Sequence, residues 1–119
     1  MSIAANIVIA LIALLHVWFL ILEMFLWTRP SGRRAFGTTA EFAEQSKALA
    51  ANQGLYNGFL AAGLAWGLYL DGDAGFHVKV FFLACVLVAG IYGGLTAARK
   101  ILWFQALPAL AALMLIHLT

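Results

Sequence analysis

Charge is scarce in this sequence. Only 10% of its 119 residues are Asp, Glu, Lys or Arg, against about 25% in an ordinary soluble domain. A single cysteine, Cys85, excludes an intramolecular disulfide and any cysteine-based metal motif. The composition also excludes a disordered chain, a soluble coiled coil and a collagen-like repeat. A net charge of +2 gives no reason to expect a nucleic-acid partner. Apolar residues are what the chain has, 65% of it, with a mean hydropathy of +0.97. A water-soluble chain this short has too much surface per volume to hide them. The class that remains is an all-α polytopic membrane protein, a single domain over 1–119, because a spanning helix satisfies its own backbone.

Four apolar segments, about 3–27, 48–70, 77–98 and 101–118, predict a four-helix transmembrane bundle with a loop at 28–47. Each is about 18 to 25 residues long, enough for a hydrocarbon core of roughly 30 Å. The first reads as a retained span. It has no basic start, and it ends in Glu23, Trp27 and Arg29 rather than a small-residue cleavage site. Pro108 predicts a kink in the fourth.

Basic residues predict the orientation. Arg29, Arg33, Arg34 and Lys47 flank the first loop, and Arg99 and Lys100 make the third; the second holds Asp71, Asp73 and Lys79. Six of the seven Lys and Arg residues therefore share one side, which the positive-inside rule makes cytoplasmic, with both termini outside. Trp27, Trp66 and Trp103 fall towards span ends, where an aromatic belt belongs. The stretch from Thr28 to Arg34 reads as a basic turn. Thr38 or Thr39 can cap a helix starting near Ala40, a cytoplasmic extension of the second span. The arginines serve topology and headgroup contact, or bind an anion.

Small residues recur every four positions: Ala50, Gly54, Gly58 and Ala62, then Gly90, Gly94 and Ala98, beside Ala89, Gly93 and Ala97. Such ladders let helix backbones approach closely in lipid.

Polar residues inside a membrane are candidate site residues. They are His16, Glu23, Asn52, Gln53, Tyr56, Asn57, Tyr92 and Gln105, all towards the basic side, while the outer half has almost none. His16 and Glu23 are seven apart and share a helix face, as do Gln53 and Asn57, four apart. A polar cavity open to the cytoplasm follows, floored by His16 and Asn57 and rimmed by Lys47 and Arg99. Its ligand-binding set is His16, Glu23, Lys47, Asn52, Gln53, Asn57, Tyr92, Arg99 and Gln105, and its catalytic candidates are Arg99, Tyr92 and Glu23. No metal site is expected, since His77 and His117 belong to the opposite side. The structural alternative is that these groups only hydrogen-bond the bundle together.

The runs Glu23–Pro30, Ala51–Gly63 and Gln105–Pro108 resemble a bacterial family of small four-helix membrane proteins of unknown function, almost end to end. That resemblance implies a multi-pass protein of the bacterial inner membrane. From Arg33 to Tyr69 the chain distantly resembles the membrane-associated eicosanoid and glutathione metabolism superfamily, which includes the microsomal glutathione transferases. The shared residues are Arg33-Arg34-Ala35-Phe36, Glu41-Phe42, a cation at Lys47 and Phe59-Leu60-Ala61. This resemblance implies a homotrimer in the bilayer and glutathione or another thiol as cofactor. The superfamily's helix-2 Arg, Asn and Glu align with Lys47, Ala51 and Gly54 here, and Asn52 and Gln53 lie about 100° and 200° round the helix from Ala51.

Three functions compete. A lipophilic ligand or thiol cofactor is bound in the cytoplasmic half, where Arg99, Arg34 or Lys47 would steady a thiolate or oxyanion. Alternatively, Glu23 exchanges protons in a small transporter, or the protein is a non-enzymatic structural or accessory component.

Overall fold

The computed structural model describes residues 3–70 and 72–118, so the expectation placed on Asp71 lies outside the described residues. These residues are helical throughout their ordered elements, with no strand among them. Five α-helices follow in order: α1 (Ile3–Met24), α2 (Pro30–Phe36), α3 (Ala40–Tyr69), α4 (Gly72–Thr96) and α5 (Leu107–Leu118). A π-helical turn, Leu102–Ala106, leads into α5.

Two of these helices, α1 and α4, are long and apolar enough to cross a membrane. The 22 residues of α1 extend about 33 Å at 1.5 Å per residue. In α3 the charged residues Glu41, Glu44 and Lys47 occupy the first turns, and 48–69 carries none. The apolar helix Leu102–Leu118 is shorter.

The start of α3 follows from its cap. Thr39 Oγ1 accepts the Phe42 N–H at 3.1 Å, which satisfies one of the donors a helix leaves open at its first turn. Two local expectations need correction. The helix α1 ends at Met24, before residue 27, and the segment 28–47, expected as a loop, contains the helix α2. Pro30 opens α2 at a position that needs no N–H. Gly37, at φ +66°, closes it, with the N–H groups of Gly37 and Thr38 both donated to the Arg33 carbonyl. The irregularity expected at Pro108 takes the form of the π turn. Proline cannot donate to the carbonyl four residues back, and the ladder widens just upstream, where Leu107 N–H reaches Leu102 O.

Two compact units make up the chain, Met1–Leu14 with Leu60–Thr119, and Leu15–Phe59. In the first, Ala5, Ile9 and Ile12 of α1, Leu64 of α3, Leu83 and Val86 of α4, and Ala109, Ala112 and Ile116 of α5 form one buried cluster. Gly90 of α4 lies directly against the Ala106 backbone, and Gly94 against Leu102, so this ladder is used for packing within the chain. In the second unit, Gly54 and Gly58 of α3 face Leu20, Glu23 and Met24 of α1. Gly32 sits on the Leu26 carbonyl and brings α2 against the end of α1.

The outward faces are as apolar as the core. Ile3, Ile7, Leu11, Leu14 and Trp18 of α1, Phe81, Val88 and Leu95 of α4, and Leu107, Leu110 and Met114 of α5 are exposed. The buried set includes His16, Glu23, Asn57 and Lys79.

Candidate functional site

The glycines of α3 build the site. At Gly54 a Cβ would lie 2.7 Å from Met24 Cγ, 3.1 Å from Glu23 Cβ and 3.2 Å from Leu20 O. At Gly58 it would lie 2.7 Å from Leu20 Cδ1. Asn57 stands three residues beyond Gly54 and next to Gly58, so it shares the face turned to α1. Its Nδ2 donates to Glu23 Oε1 at 2.5 Å. Glu23 is 4% exposed and Asn57 8%. Asn57 is the side-chain hydrogen-bond partner of Glu23, and no cation forms a salt bridge with that carboxylate among the described residues. His16, two turns earlier on α1 and on the face of Glu23, is wholly buried, its ring edge-on to Phe19 with centroids 5.3 Å apart.

A carboxylate removed from water and met by one neutral amide is an acceptor with capacity to spare. It can take a cation, a proton or a hydrogen-bond donor from a bound molecule. The amide fixes one carboxylate oxygen, which orients the group.

The remaining sequence candidates are distributed differently. Asn52 and Gln53 are exposed on α3, turned off the glycine face by their positions two and one residues before Gly54. Lys47 is exposed and ion-paired with Glu44 at 2.5 Å. Tyr92 is 69% exposed on α4; Arg99 is exposed and Gln105 half-buried. Glu23 and Asn57 are thus brought together, and His16 is buried in the same unit. Tyr92, Arg99 and Gln105 belong to the other unit.

That other unit holds a polar contact the sequence reading missed. Lys79, 2% exposed, donates from Nζ to Asn6 Oδ1 at 2.9 Å. Gly67 makes the room, since a Cβ there would lie 2.7 Å from Lys79 Cγ. The available signal was a lysine two turns inside an apolar helix, with an asparagine near the start of α1. Nearby, Phe76 is edge-on to the rings of His77 and His117, at 5.6 and 5.5 Å. Among the described residues no three His, Cys, Asp or Glu side chains gather as a metal cluster.

Comparison with known proteins places the chain. Residues 10–117 match the model of DUF1304, a family described as proteins of unknown function. The chain belongs to that family. It is 32% identical over 115 residues to the uncharacterized protein YpaA of Lactococcus lactis subsp. lactis (strain IL1403), covering 95% of this chain and 96% of YpaA. No solved structure matches this DUF1304 member.

Proposed function

We propose that this DUF1304 protein is a four-span protein of the bacterial inner membrane, termini outside, that binds a lipophilic ligand through Glu23. The ligand carries a cation or a hydrogen-bond donor. The membrane reading is supported by an inverted distribution of residues. Large hydrophobic side chains cover the outside of α1, α4 and α5, while a carboxylate, an amide, an imidazole and an ammonium are inside. Water favours the reverse, whereas lipid allows polar groups mainly where protein surrounds them.

The observation that carries the ligand reading is the Glu23–Asn57 contact itself. A carboxylate kept only as helix glue is best matched by a full set of donors, and here a single amide reaches one oxygen. The thiol-cofactor version needs a cation beside the sulfur. Lys47 is occupied by Glu44, and Arg34 and Arg99 are exposed, which favours a donor-bearing ligand over a thiolate.

The test uses the detergent-purified chain and tetraphenylphosphonium, a lipophilic cation, with glutathione as the thiol comparison. Glu23→Gln removes the charge and should weaken tetraphenylphosphonium binding at least about tenfold, the worth of a charged contact. Glu41→Gln, at an exposed position, should leave it unchanged. Equal binding by wild type and Glu23→Gln overturns the reading, as does glutathione binding that depends on Glu23 in place of the cation.

A further inference from the structure

We propose that the corner formed by Arg29, Arg33 and Arg34 binds the phosphate of an anionic phospholipid. The inference rests on the membrane-spanning part of the reading above and is independent of its ligand.

The corner is rigidly mounted. Gly32 sits on the Leu26 carbonyl. The Trp27 ring packs on Phe36 with centroids 4.9 Å apart, and Trp27 Nε1 donates to Ser46 Oγ at 3.1 Å. Ser46 Oγ in turn donates to the Phe42 carbonyl at 2.7 Å. The helix α2, its preceding turn and the start of α3 are therefore pinned to one another, and the three arginines are held within six positions of the chain.

No acid of this unit forms an ion pair with them. Glu23 is turned to Asn57 and Glu44 to Lys47, and Glu41 stands exposed on the first turn of α3. None of the three arginines forms an ion pair among the described residues. Arg29 and Arg34 are exposed, and Arg33 is half-buried. The Nε of Arg33 is sealed from solvent with no acceptor, and so is the Thr38 hydroxyl. The backbone ties these two residues together, since Thr38 N–H donates to the Arg33 carbonyl at 3.0 Å. A phosphate cannot reach those two sealed atoms; the donors open to it are the exposed guanidinium groups of Arg29 and Arg34, with Arg33 half-buried between them in sequence. Phosphate oxygens match the planar guanidinium fork.

The apolar surroundings select a lipid over a free anion. Phe25, just past the end of α1, is 68% exposed, and Phe42, on the first turn of α3, is 54% exposed. Both flank the basic corner in sequence and offer exposed apolar surface for acyl chains. Three positive charges favour an anionic headgroup over a zwitterionic one.

Native mass spectrometry of the full chain, exchanged into mixed micelles, reads this directly. Phosphatidylglycerol should be retained over phosphatidylcholine, and millimolar inorganic phosphate should not displace it. Arg29→Gln with Arg34→Gln, both at exposed positions, should reduce that preference about tenfold or more, from the usual contribution of each basic residue near a headgroup. Glu23→Gln should keep it whole, which separates this site from the proposed ligand site. Equal retention of the two lipids by the wild type overturns the proposal. So does a preference that survives the double arginine variant, or full displacement by phosphate, which would make this a free-anion site.

Discussion

Gly90→Ala measures how tightly α4 meets the turn before α5. A Cβ at this position would lie 2.5 Å from Ala106 N, 2.8 Å from Ala106 Cα and 2.9 Å from Ala106 Cβ. Relaxed heavy-atom contacts begin near 3.5 Å, so the two segments must part by about 1 Å. The obstacle is backbone and cannot swing aside. Overpacking of this kind costs about 1–3 kcal/mol. Alanine recovers up to about 1 kcal/mol through better helix propensity; with two backbone atoms inside 3 Å the cost falls in the upper half of that range, about 2–3 kcal/mol, which leaves a net loss of about 1–2 kcal/mol. Gly93→Ala is the matched control. Its Cβ would meet Ile101 Cγ2 at 3.2 Å, a methyl that side-chain rotation can move, so the propensity gain should hold stability level or raise it by a few tenths of a kcal/mol. Thermal unfolding in one detergent, followed by tryptophan fluorescence, should place Gly90→Ala several degrees below wild type, on the order of 3–8 °C. Gly93→Ala should lie within a degree or two of wild type. A Gly90→Ala midpoint at or above that of Gly93→Ala would refute the reasoning.

A double-mutant cycle at Glu23 and Asn57 should show coupling. Asn57→Leu alone strands a buried carboxylate and should cost about 3 kcal/mol, whereas adding Glu23→Leu should recover much of that loss; additive effects in the unfolding midpoint would contradict the contact. At the other polar contact, Asn6→Leu should destabilise more than Lys79→Met. The first deprives a buried ammonium of an acceptor, while the second leaves a half-buried amide short of one donor, at about 1–3 kcal/mol. The same unfolding assay ranks the two, and the reverse order would count against Asn6 as an acceptor that Lys79 depends on.

Much of the helix framework is legible because its signals are local. The bodies of α1 and α4 follow from uninterrupted hydropathy, and the start of α3 follows from a threonine hydroxyl three residues before the amide it caps. The helix α2 is not legible in this way. Pro30, Ser31 and Gly32 are turn residues by composition, yet Pro30 suits a helix start, and Gly32 is needed because Leu26 leaves no room for a Cβ. Glu23 and Asn57 are both legible as polar groups inside apolar segments, but position along those segments alone pairs Glu23 with Gln53. Facing decides the matter. The stripe Ala50, Gly54, Asn57 and Ala61 is buried and follows the true helical period, while Ala62, the next strict four-residue step, is exposed. Lys79 reads from the sequence as a loop cation, and its contact with Asn6 escapes notice because the two are 73 positions apart, a pairing that only the tertiary fold creates.

The wide turn at Leu102–Ala106 has a consequence for how this segment tolerates change in length. An added residue in an α-helix rotates everything after it by about 100° and would swing Ala109, Ala112 and Ile116 out of the core. A π turn takes up one extra residue locally. Leu102 therefore meets Gly94 and Ala106 meets Gly90, while the downstream stripe keeps its heading. The segment behaves as a slip joint, with register upstream and register downstream set independently.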